Sequence, residues 1–415
     1  MATTTVPAYE LHPVVRRALG GLCVEIPPHC VGVHGRLYDV TRLDHPGGDA
    51  WIAACSGIDA TALFESMHLN HERARALLET LPQCGTYTPA IQWDFRAYRG
   101  VARWCVARGW FGSGAARRET PAAARRFGRW AAAAAALHVA LLALPPYSAG
   151  AWAVCVLAAV ANTVLGGMGH NYLHRMDPRA LGLDWNGLSS FEWCLEHVAS
   201  HHPMPNTPHD HDSLSMLPFV SWLEPRRSNL AIYALFFVGE IAVALQGCVG
   251  HRCRWKAARF RTPAWMRHAP WLFVARVASH VLCQGLVWGG ASLLCTLAFA
   301  SFYFSLLAHL NHAPCAPPTL DFLQHQLGTT RDLRAPRCLP EALVLGLDRQ
   351  GLHHLFPSVD HSRLDEGARR LAVACGAPLR PARGALGLCR EMHARLTDGR
   401  SFATPHPSPK KMSET

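Results

Sequence analysis

Residues 130–174 read WAAAAAALHVALLALPPYSAGAWAVCVLAAVANTVLGGMGHNYLH. From Trp130 to Gly169 these are 40 residues without one Asp, Glu, Lys or Arg, and His170 and His174 follow at once. A bilayer core takes about 20 apolar residues per helix. Pro145-Pro146, followed by Ser148 to Gly150, breaks the run near its middle. The expectation is a helical hairpin that crosses a membrane twice. Further along, Val277 to Leu320 form 44 more uncharged residues with Gly289-Gly290 inside them. This stretch predicts a second hairpin broken at the glycine pair, its tail leaving the membrane around His309. Four spans are therefore expected.

The flanks set an orientation. The connectors at 117–129 and 251–268 are basic, the latter with six Lys/Arg and no acid, whereas the turns at 145–150 and 289–291 carry no charge. Basic connectors stay in the cytosol, so the turns face away from it. Asn229 to Gly250 is apolar but holds Glu240 and Gln246, and it starts and ends on the cytosolic side. It is expected to lie in the interface or re-enter. A fifth crossing would place the histidines before and after it on opposite sides of the membrane.

The 415 residues are 50% apolar and 17% charged, which excludes a disordered or collagen-like chain. The net charge is +11. Residues 1–100 hold 8 Lys/Arg and 10 Asp/Glu, hence −2, so the remaining 315 residues carry +13. No basic–aromatic stripe accompanies this charge, so it is assigned to cytosolic flanks and not to nucleic acid. The 15 cysteines form no CxxC pair. Cys155, Cys283 and Cys295 sit in apolar runs and are expected to be buried thiols in a reducing compartment. The beginning of the chain lacks the basic-then-apolar build of a signal peptide, and both termini are expected in the cytosol.

Residues 20–90 form a different material. Short β-branched runs, Cys30 to Val33 and Leu37 to Thr41, precede a turn at Asp44 to Gly48, and helix-like pieces continue through Leu81. The turn is His45-Pro46-Gly47-Gly48, which presents the imidazole without steric cover. A second imidazole follows at His68, with His71 as a rival. His45-Pro46-Gly47-Gly48 with Asp59 to Glu65 and His68 resembles the cytochrome b5 family, and two imidazoles on the haem iron that this resemblance implies would leave no open position, so such a site would carry electrons. His34 reads as an ordinary surface histidine.

The 25 histidines are the main chemical signal. His170 and His174 are i, i+4 and share a helix face. In Glu196-His197-Val198-Ala199-Ser200-His201-His202-Pro203, His197 and His201 share a face and His202 points away from it. In Gln350-Gly351-Leu352-His353-His354, Gln350 and His353 are i, i+3. His309 and His312 lie where the second apolar stretch ends. Imidazole suits iron, copper and zinc. Seven box histidines, Gln350 and one or both of His309 and His312 are too many donors for one metal and about right for two. Asp210 and Asp212, just after the second box, either orient ligand imidazoles or belong to a solvated loop.

Together, HPGGDAWI with DATALFE, GHNYLHRMD, EWCLEHVASHHPMPNTPHDHD, DFLQHQLGTTRD and LHHLFPSVDH resemble the membrane fatty acid desaturase superfamily in its cytochrome b5-fused form. The likeness is greatest to the group of cytochrome b5-related proteins, with some features of front-end desaturases. Asn171 stands where front-end desaturases usually have Asp. Gln350 stands where the b5-related group usually has His, and Gly351 replaces the usual bulky apolar residue.

The resemblance implies an α+β cytochrome b5-like domain fused to an all-α integral membrane domain of four spans with a cytosolic histidine cap. The haem b ligands would be His45 and His68. Two non-haem irons would be held by His170, His174, His197, His201, His202, His312, His353 and His354, with Gln350 beside them. His312 is preferred over His309 because Asn311-His312 looks like the family's Asn-His pair. The implied reaction is O2-dependent desaturation of a fatty acyl lipid or acyl-CoA, with electrons from an NADH-cytochrome b5 reductase, in the endoplasmic reticulum membrane. The implied organisation is a haem domain at 20–90, a basic linker at 91–129, a desaturase domain at 130–400 and a flexible tail at 401–415. Two other outcomes stay open on the residues alone. One is a lipid hydroxylase on the same scaffold. The other is a tethered haem electron carrier with an inactive oxygenase part.

Overall fold

The computed structural model describes residues 26–27, 29–89, 91–110, 115–207, 210, 212, 234, 236–239, 263–312, 320–334, 341–344, 346–375 and 382–398. The expected interfacial segment at 229–250, the basic stretch at 251–262 and the tail at 401–415 lie outside them, apart from residues 234 and 236–239.

The first domain is built on a three-stranded antiparallel sheet, β1 (Cys30–Val33), β2 (Arg36–Asp39) and β3 (Gln83–Thr86), in the order β1-β2-β3. Val33 pairs with Arg36, so His34-Gly35 is a two-residue hairpin turn, and both residues have positive φ (50° and 78°). Three helices lie between β2 and β3: α1 (Asp49–Cys55), α2 (Thr61–Met67) and α3 (His71–Glu79). Gly48 precedes α1 at φ 99°, a conformation only glycine adopts without strain. The Asp59 carboxylate accepts from the Thr61 N–H and hydroxyl and from the Tyr87 hydroxyl, which ties the start of α2 to the end of the domain.

The basic connector is structured where it is described. Helix α4 (Arg96–Ala107) buries Tyr98, Val101, Ala102 and Cys105. That spacing is the apolar stripe of an amphipathic helix. The stripe shares a core with Phe322, Leu352, Leu355 and Phe356 of the second domain.

Among the described residues, four helices form the body of that second domain. Helix α5 (Pro121–Ala143) is capped by Thr120 and α6 (Ala149–Leu173) by Ser148. They run antiparallel, with Leu141 beside Ala151 and Cys155, and Ala134 beside Ala161. Residues Leu144 to Ser148 make the turn, as the proline pair requires. After the short helix α7 (Leu181–Trp185), α8 (Pro270–Gln284) and α9 (Leu286–Asn311) form the second pair. Arg276 of α8 donates to Thr296 of α9, and the His280 ring pairs with Ser292. Cys155 of α6 packs on the Ser292 carbonyl of α9, joining the two pairs.

The expected four spans are not present. Among the described residues only α6 and α9 are long and apolar enough to cross a membrane. An uncharged run is not the same thing as an apolar helix of bilayer length. Helix α5 starts inside the basic connector, with Arg125, Arg126 and Arg129 in its first half. Its uncharged part, Trp130 to Ala143, is half alanine and spans only about 21 Å. Helix α8 has 15 residues, so about 22 Å, and contains Arg276. Both fall short of a hydrocarbon core of about 30 Å. The expected break at Gly289-Gly290 is also displaced. The chain breaks at Gly285 (φ 74°), and the glycine pair lies within α9. Gly289 is there for contact: a Cβ at that position would run into the His280 carbonyl of α8.

Leu282, Leu286 and Val287 are 83%, 76% and 73% exposed around that turn. With two long apolar helices, this surface is consistent with membrane association. Cys155 is buried as expected, whereas Cys283 is exposed on the same outer face.

Four further helices close the domain over the ends of α6 and α9. They are α10 (Phe322–Thr329), α11 (Gln350–Leu355), α12 (His361–Cys375) and α13 (Ala385–Asp398).

Candidate metal centre and haem pocket

His170 and His174 sit one turn apart at the end of α6. The second box forms a π-helix, Cys194–His201. Its wider turn brings His197 and His202 to one side, Nε2 to Nε2 at 3.0 Å, where an α-helix pairs His197 with His201. Third-box His353 and His354 are consecutive on α11 and point to different neighbours. The result is two adjoining groups of imidazoles, linked by a third set in which His197, His201 and Asp212 come together. His170, His174, His197, His202 and His353 form one, and His201, His312 and His354 form the other. Within each group the ligand-capable atoms lie within 4.8 Å of one another, and all eight residues are buried. Gln350 is buried too, its amide 3.4 Å from His312 Nε2. His309 joins neither group: its Nδ1 donates to the Ser305 carbonyl and its ring packs on Phe236.

The chemistry of this donor set suits cations. Nε2 atoms face Nε2 atoms at 2.7 Å (His170–His197), 3.0 Å (His201–His312) and 3.1 Å (His312–His354). Buried lone pairs so arranged need protons or metal ions between them. His353 Nε2 is buried with no hydrogen-bond partner among the described residues. Burial pushes His174, His202, His353 and His354 well below the ordinary imidazole range, and burial together with His201 lowers His312 to about 3. These imidazoles are neutral at pH 7, the form that binds metal. His201 is the exception. Burial opposes its charge, but the Asp210 carboxylate prevails and raises it.

The outer nitrogens of five of these rings, His197, His201, His312, His353 and His354, are held as well, which fixes ring orientation and leaves Nε2 for the centre. His197 Nδ1 is 2.7 Å from Asp212, and His201 Nδ1 is 3.0 Å from both oxygens of Asp210. Of the two readings the sequence left open for these aspartates, the structure has both on box histidines. His312 Nδ1 donates to the Ala308 carbonyl at 2.8 Å. Two partners were not legible beforehand. Gln326 faces His354 Nδ1 at 3.3 Å while its amide donates to the His202 carbonyl, and His361 Nε2 is 3.2 Å from His353 Nδ1. Gln326 lies in the DFLQHQLGTTRD stretch, whose pattern does not single out this side chain.

Asn171 has a structural reason. Its amide donates to Asp360 at 3.0 Å, its oxygen accepts from the His361 N–H at 3.1 Å, and Arg175 also pairs with Asp360. The asparagine thus ties the first box to the segment after the third. Asn171→Asp replaces a donor with a carboxylate that faces the fully buried Asp360. It is expected to cost about 1–3 kcal/mol, read as a lower thermal denaturation midpoint of the full-length chain. An unchanged midpoint would remove this tie from the account.

In the first domain the His45 and His68 rings stand nearly perpendicular to each other with centroids 5.8 Å apart. That spacing leaves room for an iron held by one nitrogen from each ring. Val40, Leu43, Trp51, Leu63 and Met67 supply an apolar surround. His68 Nδ1 donates to the Phe64 carbonyl at 2.8 Å, and burial lowers its pKa to about 4. His71 is engaged elsewhere, with Nε2 on the Glu65 carbonyl at 2.8 Å. His34 is more than a surface residue. Its Nε2 lies 2.7 Å from the buried Glu65 carboxylate, which also takes Arg75 and Arg99.

A bis-imidazole pocket joined to a helical body with two adjoining histidine groups defines an oxidoreductase architecture that carries its own electron-transfer domain. The family model described as fatty acid desaturase matches residues 147–383, and that of the cytochrome b5-like haem/steroid binding domain matches residues 27–88. The chain belongs to the fatty acid desaturase family and carries a fused cytochrome b5-like haem domain. It is similar to the chloroplastic acyl-lipid (7-3)-desaturase of Chlamydomonas reinhardtii, 33% identical over 400 residues that cover 82% of this chain and 74% of that protein. It is also similar to cytochrome b5 of Nicotiana tabacum, 38% identical over 72 residues. That match covers 14% of this chain and about half (52%) of the tobacco protein.

Proposed function

We propose that the chain desaturates an acyl chain carried on a lipid, consuming O2. The eight histidines would hold two irons, and haem b on His45 and His68 would supply the electrons. The single observation that carries this reading is the convergence of all three boxes and His312 on two adjoining buried groups. The lipid-bound form of the substrate is suggested by the name of the algal relative. In this reading residues 20–90 are the electron-carrying unit, 91–129 the connection, 130–400 the oxidising unit and 401–415 a tail. An NADH-dependent cytochrome b5 reductase would load the haem from the cytosol, with the endoplasmic reticulum membrane as the site of action.

The overall balance is one acyl CH2–CH2, one O2, two electrons and two protons giving one CH=CH and two waters. A bound iron pair supplies the oxidising power that no side chain has. The protein's own residues supply the rest. His197, His201, His312 and His354 keep their Nδ1 atoms on Asp212, Asp210, the Ala308 carbonyl and Gln326, and present Nε2 inward. Burial excludes water, which prevents loss of the oxidant to solvent.

The test is a GC–MS fatty acid profile of a eukaryotic host expressing this chain, against a host expressing His201→Ala. A new unsaturated species only with the intact chain is the expected result. A hydroxylated product would move the reading to a hydroxylase. No new product, with both proteins in the membrane and carrying haem, would favour an electron carrier.

A further inference from the structure

Tyr98 of α4 is 1% exposed and lies where the two domains meet. Its hydroxyl is 3.2 Å from the Glu65 carbonyl and 3.1 Å from the Leu355 carbonyl. Glu65 is three residues before His68, and Leu355 directly follows His354. One phenol therefore touches the backbone of the haem-ligand segment and the backbone of the third box. Its ring is held by Phe322 and Phe356, with centroids at 5.2 and 5.7 Å. The neighbouring Arg99 fixes α4 on the same segment, donating to the Glu65 carboxylate at 2.6 and 3.0 Å.

A second strap runs in parallel. Arg117 donates to the Met67 carbonyl at 2.6 Å, next to His68. The preceding residue, Ala116, accepts from the Asp360 N–H at 2.9 Å, just past the third box. The haem domain also shares a core with the second box: Trp51, Leu63 and Met67 belong to one cluster with Cys194, Val198 and Ala199. Apolar contact of this kind holds two surfaces together but does not fix their register. Directed hydrogen bonds to backbone carbonyls do.

We propose that Tyr98 and Arg117 are positioning residues for electron delivery, locking the His68 segment against the third box so that electrons cross within one docked chain. The inference rests on the desaturase reading above. In each transfer the haem iron is oxidised by one electron and one iron of the pair is reduced by one. No bond breaks and no proton moves at Tyr98 or Arg117.

The test uses the full-length protein loaded with haem and iron, without O2. A ruthenium photosensitiser reduces the haem in a flash, and the ferrous absorbance is followed as it decays. In the wild type the decay is expected to be independent of protein concentration, and in His201→Ala it is expected to be absent. Tyr98→Phe keeps the ring and deletes the hydroxyl. It is expected to slow the decay by about 2- to 10-fold, the change in docked population that loss of one hydrogen bond brings. Haem content and reduction potential should stay as in the wild type. Amide hydrogen exchange at residues 65–68 and 354–356 should rise in both the loaded and the metal-free chain. Arg117→Gln leaves the aromatic packing around Tyr98 intact and is expected to act in the same direction. An unchanged decay rate in either folded variant overturns the assignment. Absence of decay in the wild type would instead overturn the iron acceptor, and with it the reading on which the inference stands.

Discussion

His201→Ala is expected to remove iron and desaturation while leaving the haem spectrum as it is. His201 belongs to the smaller group, whose other imidazoles are His312 at 3.0 Å and His354. Without it two histidines and the Gln350 amide remain, too few donors to close a coordination sphere of four or more. The variant also separates Asp210, which is fully buried, from the ring that shares its charge. Changes to groups that merely orient a ligand cost about 10- to 100-fold in metal affinity or activity. Loss of the ligand itself should exceed that, so product should fall below detection. The measurement is non-haem iron per haem in the purified chain, with the intact protein near two and the variant well under that. His45 and His68 belong to the other domain and make no contact with His201, so haem absorbance is the internal control. Two irons retained in the variant would refute the ligand assignment.

What the sequence could show follows from which interactions are local. Histidines spaced i, i+4 at the end of an apolar run mark one helix face wherever the chain folds, so the first box was readable. The haem turn was readable for the same reason, since His45-Pro46-Gly47-Gly48 states its own geometry. The division of the second box was not. Spacing predicts that His197 and His201 share a face, and they do meet beside Asp212, but the π-helix also brings His202 to the His197 side while His201 reaches His312. A π-turn is stabilised by the site it serves, and nothing in eight residues announces it.

Non-local ties were equally silent. Asn171 looked like a departure from one subgroup's pattern, and its reason, Asp360, lies 189 residues away. His34 reads as a surface residue because it sits in a hairpin turn, and its partner, Glu65, lies 31 residues on in α2. The expectation of four spans failed for a different reason. Counting uncharged residues measures what a helix lacks and not its apolar length. In the second stretch the count ran across Gly285 and credited α8 with residues that belong to α9. The glycine pair misled because the same residue serves to end a helix or to let two helices approach. Only the His280 carbonyl against Gly289 decides between them.

His45→Ala is expected to do the converse of His201→Ala: abolish the reduced-haem absorbance of the six-coordinate form and leave non-haem iron in place. The His45 imidazole stands at the tip of a turn that packs little of its own surface, so its removal creates no large cavity. Its partner His68 is fixed independently by the Phe64 carbonyl and by its place at the end of α2. One ligand then remains, and the low-spin bis-imidazole spectrum cannot form. Iron at the second site should be unaffected, because none of the eight histidines there depends on the haem pocket for a hydrogen bond. Product should fall to whatever a host's own cytochrome b5 can support. The companion variant His71→Ala separates this from a general loss of the domain. The His71 ring is committed to the Glu65 carbonyl and faces Tyr98 edge-on, with centroids 6.0 Å apart. It is expected to keep the normal haem spectrum. A normal spectrum in His45→Ala, or its loss in His71→Ala with His68→Ala unaffected, would reassign the axial pair.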